Sequence, residues 1–286
     1  MAEFVERNLE ELVPIFEQLQ RQEIFTETEI RKVVKKCRAM EYKMQKVRKE
    51  KEDIVKYAQY LTSLLTLIRH RRRTINFWLL RDEIDFAVAR KIDSLFRNAC
   101  FRFQDDVKLW LTMINFLIQR NAREGASKQF VRMLQVHTND PRLWILSAKF
   151  EFEQNNSSQN ARNNLLRGLR FNGKSKQLWR ELFRFELLYV EKLLKRRELL
   201  LSGNDVANVD ADQSSSCIDR AATSEDDQNQ DAILRLELVS TVFEQAVVEI
   251  ANDVKFCASF LPILAEFESI AETVPLKAIK QNILEQ

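Results

Sequence analysis

Two His and four Cys are the side chains of this chain best suited to a zinc site or a base–nucleophile pair. Zinc sites group their ligands at short spacings, and a nucleophile needs a base within hydrogen-bond reach. Cys37, Cys100, Cys217 and Cys257 are far apart in sequence. Neither His70 nor His137 has a Cys, an Asp or a second His at such a spacing. His70 lies in an Arg cluster and His137 at a predicted helix end, so both read as solvated. The paired acids Asp105–Asp106 and Asp226–Asp227 fall at a helix start and in a loop, where no shielding shifts a carboxyl toward acid–base work. Gly125, Gly168, Gly173 and Gly203 form neither a P-loop nor a dinucleotide fingerprint. The expectation is a protein that is not an enzyme, with no catalytic, cofactor-binding or metal residues and no cofactor. Without a disulfide framework, the cysteines indicate a reducing compartment. Cys37, Cys100 and Cys257 read as small core hydrophobes and Cys217 as exposed.

Binding chemistry is better represented. Residues 31–51 hold ten Lys/Arg against two Glu. Lys32, Lys35, Lys36, Lys43, Lys46 and Arg48 lie on this predicted helix, and Arg69, Arg71, Arg72 and Arg73 end the next one. These are the candidate contacts for RNA or an acidic partner. The plain alternative is a solvated helix face, and Arg69–Arg73 also has the composition of a nuclear signal. Residues 202–231 hold eight acids and one base, with no aromatic, and read as a disordered acidic loop. The formal charge of +3 is therefore a body of +10 offset by a segment of −7.

The elements that carry these residues are helices. Only 4 Gly and 4 Pro occur in 286 residues, where average usage would give roughly 20 and 14. Doubly wound sheets and β-sandwiches need more tight turns than that. The acidic, amphipathic start does not read as a signal peptide, and Leu61–Ile68 and Phe256–Ala265 are too short to span a membrane.

The helices repeat. Trp78, Trp110, Trp144 and Trp179 are separated by 32, 34 and 35 residues, the length of one helical hairpin. Four residues before each stands a potential N-cap: Thr74, Asp106, Asp140 and Ser175. Six residues after each stands Ile84, Phe116, Phe150 or Phe185 on the same face. The second helix of each unit carries LFRNA (95–99), VRML (131–134) or LLRGL (165–169), with Arg97, Arg132 and Arg167 at 35-residue intervals. That Arg column faces solvent or pairs with acids such as Glu151 and Glu186. Gly125 and Asn155–Ser158 supply the turns, and Gly168 sits inside a predicted helix for close packing. The Trp and Phe columns read as the core of stacked hairpins. VFEQA (242–246) predicts a further second helix, and counting back from Phe267 puts Leu261 in a degenerate Trp position. Upstream, Thr26–Glu29 is a capping box with Phe25 and Ile30 as its hydrophobic staple. Ile30, Val33, Cys37, Met40, Met44 and Val47 form a narrow apolar seam. The predicted organisation is an N-terminal basic helical region (1–73), repeats (74–201), the acidic loop (202–231) and a degenerate repeat with a C-terminal helix (232–286).

The Trp…Phe-Glu first helix and the Ala-Arg…Leu/Phe-Arg second helix resemble the half-a-TPR (HAT) repeat. The resemblance implies an all-α fold, an alpha-solenoid of HAT hairpins preceded by N-terminal helices. MAEFVERNLEELVPIFEQL, FTETEIRKVVKKCRAMEYKM, KEDIVKYAQY and LWILSAKFEFE…ARNNLLRGLRFN…LWRELFRFELLYVEKLLKRRELL resemble the U-three small nucleolar RNA-associated protein six family. This second resemblance implies a non-enzymatic scaffold of the small-subunit processome in the nucleus and nucleolus. Its work would be pre-rRNA processing and 18S rRNA maturation. The implied partners are other UTP-B subunits, including WD-repeat propeller proteins, and the U-three snoRNA and pre-rRNA ribonucleoprotein. No membrane and no small-molecule substrate are implied. Relatives continue with many more HAT repeats, so the expectation is a chain lacking the C-terminal ones. The alternatives are a HAT scaffold of splicing or mRNA 3′-end processing, or a direct RNA-binding protein acting through its basic N-terminal helices.

Overall fold

The computed structural model describes residues 2–46, 48–76, 81–204, 237–250, 253–267 and 281. Among the described residues all regular structure is helical, as expected. The helices are α1 (Ala2–Glu10), α2 (Val13–Arg21), α3 (Glu27–Met44), α4 (Lys51–Ile75), α5 (Arg81–Arg102), α6 (Val107–Gln119) and α7 (Arg123–Val136). They continue with α8 (Pro141–Glu153), α9 (Ser158–Phe171), α10 (Lys176–Asn204), α11 (Glu237–Glu249), α12 (Val254–Ala258) and α13 (Leu261–Glu266). The chain divides into two compact units, residues 1–129 and 130–286. Within each, helices pack against their neighbours in chain order, the local pattern of an alpha-solenoid.

In the first unit, α3 starts at the expected capping box. The Thr26 hydroxyl accepts the Glu29 N–H, and the Glu29 carboxylate accepts the Thr26 N–H. Phe25 and Ile30 are buried beside it. Ile30, Cys37 and Met44 bury the seam of α3, while Val47 lies outside the described residues. α4 packs on α3 and on α5, and α5 packs on α6. Ile84, Val88, Ile92 and Phe96 of α5 are buried.

The sequence reading of this region needs two corrections. Thr74 is not an N-cap. It lies in the last turn of α4, donating its hydroxyl to the His70 carbonyl, and α4 ends at Asn76 in the left-handed conformation. The LFRNA segment is not a separate second helix either. Residues 81–102 form one continuous helix, because no turn-forming residue interrupts the apolar period between Ile84 and Leu95. Trp78 lies outside the described residues.

In the second unit, α8 and α9 form a hairpin, α10 packs on both, and α11 packs on α10 as a second helix should. Gly168 is buried against Trp144 on the α8–α9 contact. Phe183, Phe243 and Phe256 meet Phe260 edge-on, with ring centroids 5.0, 5.5 and 4.9 Å away. Asp253 caps α12 as Asp106 caps α6 and Asp140 caps α8. Four residues on from Asp253, the Trp position is filled by buried Cys257, not by Leu261. Leu261 opens α13, with Pro262 in its first turn.

The α6–α7 and α8–α9 turns use Asn, not Gly, at their left-handed positions. Asn121 (φ 60°) joins α6 to α7 and Asn156 (φ 54°) joins α8 to α9. Asn tolerates left-handed backbone because its short amide bonds locally. Gly125, expected in a turn, lies in the first turn of α7 instead. α10 runs on through Asn204, and residues 205–231 of the expected acidic loop, with Cys217, lie outside the described residues.

Candidate functional site

The Trp helices α6 and α8 start at the same kind of junction. Asp106 accepts the Lys108 and Leu109 N–H groups, and Asp140 accepts that of Arg142 beside Pro141 at the helix start. Trp110, Trp144, Trp179, Phe116, Phe150 and Phe185 are all buried. The indoles are more than apolar filling. Trp110 donates its N–H to the Gln104 carbonyl (3.0 Å), Trp144 to Thr138 (2.9 Å) and Trp179 to Gly173 (2.8 Å). Each side chain thus closes back over the six residues before it. The Thr138 carbonyl also accepts the Asn172 amide at 2.8 Å, which ties the end of α9 to the same connection. Spacing from the cap locates this contact in sequence only if Trp is chosen for its donor as well as its area.

The Arg column faces solvent: Arg97, Arg132 and Arg167 are exposed. Buried Glu186 is held instead by both arms of Arg162, at 2.7 and 2.6 Å, and buried Glu151 accepts the Asn155 amide at 2.9 Å. The Arg162 guanidinium also lies 5.2 Å from the Tyr189 ring centroid.

The basic candidates separate into two groups. Lys32, Lys35, Lys46, Arg48 and Arg73 are exposed and, among the described residues, make no ion pair. Lys36 stacks its ammonium 4.2 Å from the Tyr60 ring, and Lys43 meets Asp53 at 3.4 Å. Helical spacing puts Lys32, Lys35 and Lys43 on the face of α3 opposite its buried seam. The Arg69–Arg73 run is internal wiring for the most part. Arg72 is 1% exposed and bonds Asp85 at 2.7 Å, while Arg69 reaches the other oxygen of Asp85 at 2.9 Å. Arg71 grips both oxygens of Glu29 at 2.8 Å, donates to the Ile24 carbonyl and covers the Phe25 ring. Burial and pairing withdraw Arg72 from the candidate surface, and Arg69 and Arg71 already have carboxylate partners.

An acid in the basic run does something sequence did not indicate. Glu41 is 2% exposed and gathers Tyr57 (2.8 Å), Lys91 (2.9 Å) and Asn8 (3.1 Å) from three other helices. Burial, with the Glu41 charge adding to it, pushes the nearby Cys37 thiol up to about 12, and burial does the same to Cys100. Both are poor nucleophiles. Beside Glu41 opens a cavity of about 460 Å³ between α1, α3, α4 and α5. Among the described residues, no three His, Cys, Asp or Glu side chains converge as metal ligands, and no helix is long and apolar enough to cross a membrane.

Comparison with known proteins identifies relatives of this chain. Residues 9–91 match the model of the family described as U3 small nucleolar RNA-associated protein 6. The human U3 small nucleolar RNA-associated protein 6 homolog is 39% identical over 211 residues, covering 73% of this chain and 35% of the human protein. The mouse homolog is 39% identical over 198 residues, covering 69% of this chain and 33% of the mouse protein. The U3 small nucleolar RNA-associated protein 6 of Schizosaccharomyces pombe is 34% identical over 204 residues, covering 71% and 42%. The chain thus spans about a third to two fifths of the curated relatives it matches. With the matched α1–α5 region and the Trp-clasped hairpins that follow it, the chain belongs to the U3 small nucleolar RNA-associated protein 6 family.

Proposed function

We propose that this chain is a non-enzymatic helical scaffold of the U3 small nucleolar ribonucleoprotein and small-subunit processome. It would act in the nucleolus, in pre-rRNA processing and 18S rRNA maturation, and bind other UTP-B subunits, WD-repeat propellers among them. The observation that carries this reading is the name shared by its relatives over about 200 aligned residues. The repeats support it physically. A hairpin buries one face against its neighbours and leaves the other for partners.

Affinity purification of the tagged chain from nuclear extract, followed by RNA and protein identification, tests the proposal. U3 small nucleolar RNA and propeller-containing processome proteins are the expected recovery. Spliceosomal or 3′-end-processing proteins without them would replace the proposal with another HAT scaffold. A second reading, direct RNA contact, is favoured by the exposed Lys32, Lys35 and Lys46.

A further inference from the structure

We infer that the cavity beside Glu41 receives an unpaired nucleotide of single-stranded RNA, stacked on Phe101 and held by Lys49 and Arg102. This deepens the direct-contact reading by naming a site and a form of RNA; it does not depend on the processome assignment. Three observations converge. First, the size is right. About 460 Å³ lies within the usual range for a small-molecule pocket and takes one nucleotide, not a helix of RNA. Second, the lining is mixed in the way a nucleotide requires. Phe101 is 81% exposed in the last turn of α5, an unusual place for an aromatic ring, while Leu95 behind it is buried. A base of any identity can stack on such a ring. Gln45 and Asn98 border the same space and carry amides that donate and accept, as a base edge needs.

Third, the charge lies where a phosphate would enter. The Lys91 ammonium is already committed to Glu41 at 2.9 Å, so that pair adds little net charge. Lys49, in the connection after α3, supplies positive charge at the cavity, with Arg102 beside it. The lysine face of α3 lies on the other side of that helix from Glu41 and Met44, so this charge belongs to the cavity itself. An acidic peptide would use the same charge but has no need of an exposed aromatic face. Duplex RNA keeps its bases stacked inside and cannot reach the ring.

Fluorescence anisotropy of a labelled ten-nucleotide single-stranded RNA, titrated with the whole chain at low salt, tests the inference. Phe101→Ala should weaken single-strand binding about 5- to 100-fold, and Phe101→Trp should restore it. Binding of a duplex of the same length should be unchanged. Lys49→Ala should lower the slope of log K against log salt by about 0.7, and a Glu-rich peptide should bind Phe101→Ala as it binds the unmodified chain. Because Phe101 is exposed, melting of Phe101→Ala should match the unmodified protein, which separates lost binding from lost folding. No single-strand binding, a Phe101→Ala variant that binds normally, or an equal loss for duplex or peptide would overturn the inference. Failure to recover U3 RNA from extract would count against the proposed function and leave this result standing.

Discussion

A Cβ on Gly168 would lie 2.9 Å from both Cβ and Cγ of Trp144. Real side chains do not approach that closely, so α8 and α9 meet at a distance that only glycine allows. Gly168→Ala is expected to force the helices apart and lower stability by about 1–3 kcal/mol, despite the better helix propensity of Ala. Gly125→Ala should do the reverse. Its Cβ would make ordinary contacts of 3.7–4.0 Å with Leu117 and Ala122, so the gain in propensity of about 0.5–1 kcal/mol survives. Urea unfolding of both variants checks the opposite signs. Two changes of the same sign would mean that local packing does not decide the difference.

Trp144→Ala should open a core cavity and cost about 3–5 kcal/mol. Trp144→Phe keeps most of the apolar area but loses the donor to Thr138. It should cost about 1 kcal/mol beyond its smaller volume, softened because Asn172 still serves that carbonyl. Combining Trp144→Ala with Gly168→Ala should cost less than the sum of the two, since the first removes the ring atoms met by the second and leaves only the close Cβ. Additive losses would show that the two side chains are not in conflict.

Asp85→Ala removes the carboxylate that faces Arg72 and Arg69. Arg72 is buried, so its charge loses a partner where water cannot replace it, and the expected loss is about 3–5 kcal/mol. Adding Arg72→Met to Asp85→Ala should recover much of this, because the buried charge goes with its partner. Thermal melting of the single and double variants provides the comparison. A double variant worse than Asp85→Ala would refute the account.

The Arg71 guanidinium, with the Thr26 N–H, holds the Glu29 carboxyl well below the ordinary carboxylate range, at about 2. A carboxyl with a lowered pKa in the folded state stabilises most when ionised in both states. Its contribution is present above about 4.5 and is lost as pH falls toward 2. Melting temperature should therefore fall through that window in the unmodified protein. In Glu29→Gln the fall should be shallower and start from a lower plateau at neutral pH. Parallel curves would show that the pair contributes nothing pH-dependent.

Much of this was legible in sequence because the repeat writes itself in local spacings. Asp140, Trp144 and Phe150 need only one helix to be related, and so do Thr26 and Glu29. What was missed depends on distant partners. Arg71 and Arg72 looked like solvated charge because Glu29 and Asp85 lie 42 and 13 residues away. Glu41 looked like a diluting acid in a basic run until Asn8, Tyr57 and Lys91 surrounded it. Gly125 was misassigned for another reason. Left-handed backbone suggests Gly by preference, and here Asn adopts it. The Phe101 cavity had no sequence signal, since its walls come from four helices.

The indole clasp also determines where this repeat can grow. Gln104 to Trp110, Thr138 to Trp144 and Gly173 to Trp179 are all six steps, fixed by one hydrogen bond. The connections α7–α8 and α9–α10 are correspondingly equal in length, and so are the paired helices α6 and α8, and α7 and α9. The single residue by which one repeat exceeds the other falls at the opposite end of the hairpin. Residues 120–122 join α6 to α7, and residues 154–157 join α8 to α9. Lineages that lengthen or shorten this protein should therefore do so at the hairpin tips, beside Asn121 and Asn156. An insertion on the clasped side would leave an indole without its carbonyl and shift the register of every helix beyond it.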